Sequence, residues 1–198
     1  MTFILASASA SRRAMLTSAG LTFESMPAAI DEGAIKTAMT AAGASPRDIA
    51  DRLAELKAIR ISSTTPGALV LGSDSLVALA DGTILDKPGA IETARRHLEA
   101  MSNSTITLVS AAVIAHGGVA IWRHCGVAKL HVRALTGTFL DHYLAQEWPA
   151  IDGCVGCFRI EGPGVQLFER IEGDYFTILG MPLLPVLDYL RLRGVITS

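Results

Sequence analysis

A chain of 198 residues fits one full hydrophobic core, or a core with a lobe attached, better than two independent domains. Half of its residues are hydrophobic and 18% are charged, which excludes a disordered or fibrous chain. The formal net charge of -2 excludes the broad basic field that long DNA or RNA would need, while a local basic pocket for a small anion stays open.

The chain opens on an aliphatic run, Ile4 to Ala6, that breaks into Ser7, Ser9 and Ser11 before Arg12 and Arg13. This predicts a strand, a tight turn and a helix resuming over Arg12 to Ala19. Helix N-terminal N–H groups, small side chains and two guanidiniums suit an anion with several oxygens, such as a polyphosphate. A plain serine N-cap with a solvated arginine face fits the same residues. Ala6 to Ala10 resembles a signal cleavage site, but the basic n-region is missing and the apolar stretch is short, which argues against export.

Gly20 ends that helix, and Leu21 to Met26 reads as a short strand. Asp31-Glu32 begins a loose stretch rich in alanine and glycine. Ser45-Pro46 caps a stronger helix in which Ile49, Leu53, Leu56 and Ile59 or Arg60 recur at helical spacing, placing Lys57 near the rim. Ala68 to Gly72 reads as a strand buried on both faces that stops at Ser73-Asp74-Ser75. A carboxylate at the end of a buried strand is unfavourable unless paired, solvated or metal-bound. Asp81-Gly82 between Leu76 to Leu79 and Thr83 to Leu85 predicts a hairpin, and a helix follows over about Ala90 to Met101.

Thr105 to Ala115, Val119 to Arg123 and Gly126 to Val132 read as three strands. Thr136 caps a helix reaching Trp148. Strands are expected over Phe158 to Glu161, Val165 to Glu172 and Tyr175 to Leu179, before Pro182 opens a C-terminal helix. No run approaches the length of a transmembrane span. The sum is an α/β or α+β domain around a long, mixed, twisted sheet.

The unusual polar positions are Ser7, Ser9, Arg12, Arg13, Glu32, Lys57, Asp74, Lys87, Arg159 and Glu161. Most fall at ends of predicted elements, where sites are built. Two acids ringed by arginine and lysine are what metal-assisted attack on a phosphoanhydride requires. Glu32 also fits a helix N-terminal acid, Lys57 a snorkelling surface residue, and Asp86-Lys87 an ordinary turn. Cys154 and Cys157 have redox or zinc half-site spacing, but no second pair and no helix start accompany them, so two small buried thiols are expected. With Cys125 they make three cysteines, which is no disulfide framework and fits a reducing compartment. The five histidines lack ligand spacing, and Gly72-Ser-Asp-Ser75 is not a G-x-S-x-G elbow.

Taken together, Leu5 to Arg13, Asp31-Glu32, Leu53 to Ala58, Gly72-Ser-Asp74, Lys87-Pro88, Val155 to Gly162 and Gly173 to Pro182 resemble the Maf-like nucleoside triphosphate pyrophosphatases in order and spacing. Ala10 departs from the family, which usually has proline there. The resemblance implies a single domain over 1–198, mixed α/β, with a long twisted sheet flanked by helices in two lobes around a central cleft. That architecture is similar to the inosine triphosphate pyrophosphatases. It also implies cleavage of a nucleoside triphosphate to monophosphate and pyrophosphate in the cytoplasm, with a divalent metal, Mg²⁺ or Mn²⁺. No membrane partner is implied; a homodimer is.

By this resemblance Asp74 is the proton acceptor, and Ser7, Ser9, Arg12, Arg13, Lys57 and Lys87 bind the phosphates. Glu32 and Asp74 hold the metal. Three base-selecting positions fall on Ser11, Ser75 and Glu161, where a pyrimidine (dTTP and UTP) type carries Arg, Thr and Gln and a 7-methylguanosine type carries Trp, Gln and Glu. Only Glu161 matches, and a carboxylate accepts from guanine N1–H and N2–H₂. The missing Trp at Ser11 removes a stacking platform. A nucleotide-binding regulator of cell division (septum formation) with little turnover is the alternative that the same family suggests.

Overall fold

The computed structural model describes residues 2–197. Strand β1 (Phe3–Leu5) turns into α1 (Ala10–Ser18), then β2 (Glu24–Ser25), α2 (Glu32–Ala41) and α3 (Pro46–Ser62). Strand β3 (Leu69–Ala78) and β4 (Ile84–Leu85) precede α4 (Ile91–Met101). The chain continues through β5 (Thr105–His116), β6 (Val119–Val132) and α5 (Gly137–Glu147). A 3-10 turn (Pro163–Leu167), β7 (Phe168–Glu172), α6 (Tyr175–Leu179) and α7 (Leu183–Leu192) complete it.

The strands form one seven-stranded mixed sheet in the order β2-β1-β3-β5-β6-β7, with β4 also on β3. β1 lies parallel to β2 and β3, pairing Phe3 with Leu69 and Leu5 with Leu71, so β3 runs on past the carboxyl end of β1. β4 and β7 are antiparallel to their neighbours.

Two compact units share the chain. The first holds everything up to Ser75, Val109–Gly126 and the chain from Asp174; the second holds Leu76–Leu108 and Val127–Gly173. Alternation along β1 sorts the first unit's core. Phe3 and Leu5 join Met15 and Leu16 of α1, Leu69 and Leu71 of β3, and Leu183, Val186 and Leu190 of α7. Ile4 and Ala6 face the other way, against Ile61 of α3, Ala68 and Val70. In the second unit α4 packs on α5, with Ala94, Leu98 and Met101 of one and Leu140, Tyr143 and Leu144 of the other buried.

Several expectations need correction, among them the strand expected from Val165, which begins only at Phe168 after the 3-10 turn. The strand foreseen to stop at Gly72 continues to Ala78, because Ser73 and Asp74 both find partners and polarity alone does not end a strand. Val119 to Val132 is a single strand, since His124-Cys125 gives the chain no turn. Tyr175 to Leu179 is a helix in spite of its β-prone residues. Asp174 caps it by accepting from the Thr177 N–H at 2.7 Å, and Gly180 closes it. Phe158 to Glu161 forms no strand, and its Phe158 ring packs edge-on to Phe168. In addition, the stretch after Asp31 forms α2, capped by Asp31; none of its residues is buried, so it carries no apolar stripe to read. Of Leu21 to Met26, only Glu24–Ser25 is strand.

Candidate active site

The buried face of α3 is rotated from the stripe read in the sequence. It consists of Ile49, Ala50, Leu53, Ala54, Lys57, Ala58, Ile61 and Ser62, while Leu56 and Ile59 are only half-buried. Alanines bring that face onto the sheet at Gly72, where a Cβ would overlap the Ala54 carbonyl oxygen and the Ala58 amide. Lys57, one turn from Ala54, is thereby carried inward instead of to the rim and is only 7% exposed.

Along β3 the residues alternate. Asp74 shares the Gly72 face and meets Lys57, whose Nζ donates to Asp74 Oδ1 at 2.6 Å. The same ammonium lies 2.7 Å from Oε1 of Glu32, in the first turn of α2. Asp74 is 5% exposed, so its charge rests on this contact. Lys57 thus draws two carboxylates from two elements to one point.

Ser73 and Ser75 occupy the opposite face of β3. Beyond β1, Ser7 is buried, and its Oγ accepts from the Ser9 N–H at 3.1 Å and from Arg12 Nη1 at 3.4 Å. Ser9 is the N-cap of α1, accepting from the Arg12 N–H at 3.4 Å. Arg12 is 9% exposed; its Nε donates to the Gly180 carbonyl at 2.8 Å and its Nη2 to Ser75 Oγ at 3.0 Å. Burial lowers the Arg12 pKa, and the nearby charges of Asp74 and Glu32 oppose that shift. The carboxyl end of β1 and the part of β3 that runs on beyond it therefore carry a buried cation, a helix N-terminus and a carboxylate–lysine–carboxylate cluster. That is where open α/β sheets bind ligands.

The other site residues named from sequence divide by unit. Ser11 is half-buried at the second position of α1, and Arg13 is exposed on the same helix. Lys87 and Glu161 are exposed residues of the second unit. There, burial raises the Cys154 pKa, Glu161 adds to the rise, and Arg159 and Lys87 oppose it. Arg159 donates through Nε and Nη2 to the two oxygens of buried Glu147, each at 2.9 Å. Cys157 is buried as expected, whereas Cys154 is half-buried; all three cysteines are free. Sequence reasoning missed Ser110, Gly180 and Glu147. Asp174 before Tyr175 and Gly180 after Leu179 are the cap residues that could have revealed the helix, and with it Gly180.

Residues 2–193 match the Maf-like protein family. The chain belongs to it. Among Maf-like relatives, a "Nucleoside triphosphate pyrophosphatase" of Sphingopyxis alaskensis is 51% identical over 98% of both chains. A "7-methyl-GTP pyrophosphatase" of Mesorhizobium japonicum is 49% identical over 98% of this chain and 96% of its own. A solved HAM1 protein structure from Coxiella burnetii is similar with a TM-score of 0.47 and 16% identity, covering 67% of this Maf-like chain and 73% of that one.

Proposed function

We propose that this chain is a metal-dependent nucleoside triphosphate pyrophosphatase, cutting between the α and β phosphates of a guanine-like triphosphate such as 7-methyl-GTP. The observation that carries the reading is the Glu32–Lys57–Asp74 cluster beside Arg12. The names of relatives about half identical to it support the same reaction.

Arg12 and the first N–H groups of α1 hold the polyphosphate, and Lys57 adds a third positive group. Asp74 orients the attacking water and takes its proton as the anhydride bond breaks, leaving monophosphate and pyrophosphate. Glu32 and Asp74 would hold the metal. Among the described residues no group of three or more His, Cys, Asp or Glu side chains could hold a metal ion. Two adjacent carboxylates nonetheless fit Mg²⁺ or Mn²⁺, since Mg²⁺ is commonly held by one or two carboxylates, with water and substrate phosphates completing its shell. When bound, the metal supplies neutralisation of phosphate charge.

Glu161 favours a guanine edge, because a carboxylate can accept from N1–H and N2–H₂ together. Pyrophosphate release from GTP, 7-methyl-GTP, ATP, CTP, UTP and dTTP with Mg²⁺ or Mn²⁺ tests both levels. Guanine-type triphosphates should turn over fastest. Preference for dTTP or UTP would overturn the base assignment, and release from none would overturn the activity. Asp74→Asn should lower kcat by about 10² to 10⁴; a rate equal to wild type would remove Asp74 as base.

A further inference from the structure

Ser75 immediately follows the proposed base in sequence, yet its hydroxyl is turned to the other face of β3. Its Oγ lies 3.0 Å from Arg12 Nη2, 2.8 Å from Ser110 Oγ and 3.0 Å from the Gly180 carbonyl. Ser110 is fully buried on β5, with Oγ 2.7 Å from the Thr177 carbonyl.

Counting hydrogens gives this group a direction. The Thr177 carbonyl can only accept, so the single hydroxyl hydrogen of Ser110 goes there. Ser110 must then accept from Ser75, which uses the hydrogen of Ser75. The Ser75 lone pairs are left to accept from the Arg12 guanidinium. The Gly180 carbonyl is filled by Arg12 Nε and by Ser73 Oγ, at 2.8 and 3.2 Å. Gly180 has φ +114°, a region that favours glycine, and a Cβ there would lie in ordinary contact with Ser75 Oγ at 3.5 Å.

We infer that Ser75 and Ser110 are positioning residues for Arg12: a donor chain from the guanidinium through both hydroxyls to the Thr177 carbonyl fixes the phosphate-binding arginine. The inference rests on the reading of this site as a triphosphate clamp. With Nε on Gly180, Nη1 on Ser7 and Nη2 on Ser75, one N–H remains on each Nη, aimed by the protein instead of by the ligand. The hydroxyl at position 75 therefore governs how tightly polyphosphate is held and has no part in choosing the base. Any triphosphate should feel its loss equally.

Inorganic tripolyphosphate, which has no base, separates the two roles. Calorimetric binding of tripolyphosphate and kcat/KM for GTP and UTP are measured for wild type, Ser75→Ala, Ser75→Thr and Ser110→Ala. Ser75→Ala should weaken tripolyphosphate binding about tenfold or more and lower kcat/KM for GTP and UTP by one common factor. Ser110→Ala should move both in the same direction, and Ser75→Thr, which keeps a hydroxyl, should restore both. In an Arg12→Lys background Ser75→Ala should add little, because the bond it removes is already lost. Ser75→Cys carries the same expectation if the alanine variant does not fold. Unchanged tripolyphosphate affinity with an altered GTP to UTP ratio would overturn the inference and return Ser75 to base selection. Failure of wild type to bind tripolyphosphate would instead overturn the clamp reading beneath it.

Discussion

Lys57→Met strips the ammonium from two carboxylates at once and leaves Asp74 charged on a central strand. Removing one partner of a buried pair costs about 3–5 kcal/mol, far more than breaking a surface pair. Urea unfolding should show a loss of that size, and Lys57→Met with Asp74→Leu together should recover much of it, since the buried carboxylate goes with its partner and Glu32 is open to solvent. A second residue sets an alkaline limit. Burial pushes the Cys157 thiol from an ordinary 9.0 up to about 12. The unfolded chain therefore ionises first, so the contribution of the neutral thiol is whole below pH 9.0 and is lost as pH rises toward about 12. Urea midpoints should fall across that window, and Cys157→Ala should flatten the fall; an identical slope in the variant would remove Cys157 as its cause.

At the scale of elements, the approach of α3 to β3 decides whether the site exists. Gly72→Ala places a methyl against the backbone of α3 at Ala54 and Ala58, so the helix must back away. Overpacking of this kind costs about 1–3 kcal/mol. Thermal melting should register that loss, and pyrophosphate release should drop further than melting alone explains, because Lys57 rides on the displaced helix. The sequence foretold α3 and its Ser45-Pro46 start, yet hid which face is buried. Leucine and isoleucine outweigh alanine in any apolar count, but the close approach at Gly72 is made by Ala54 and Ala58. The α6 helix was hidden for a related reason. Its β-prone residues are overruled by local hydrogen bonds at Asp174 and Gly180.

Across the whole molecule, neither unit is one continuous piece of chain. The cluster around β1 draws on Phe3 and Leu5 at one end of the sequence and Leu183, Val186 and Leu190 near the other. Three buried aliphatic side chains at about 1.5–3 kcal/mol each rival the entire stability of a typical domain. Deleting residues 183–198 should therefore abolish cooperative thermal unfolding by circular dichroism. A truncated chain that melts as sharply as the full one would contradict this dependence. The same long-range closure brings Gly180 to Arg12, 168 residues away.

The sequence by itself determined the elements with local chemistry: the serine turn into α1, the Ser45-Pro46 and Thr136 caps, the Asp81-Gly82 hairpin, and the motifs of the Maf-like family. Those signals lie within a few residues of what they specify, so no partner from elsewhere is needed to read them. Only the tertiary structure decided that Asp74 sits within a strand, that Lys57 points inward, and that Ser75 faces Arg12. Each outcome depends on a group distant in sequence. An ammonium 17 residues away offsets the burial of a carboxylate, the Gly180 carbonyl accepts from Ser73, and the Ser110 hydroxyl of β5 accepts from Ser75.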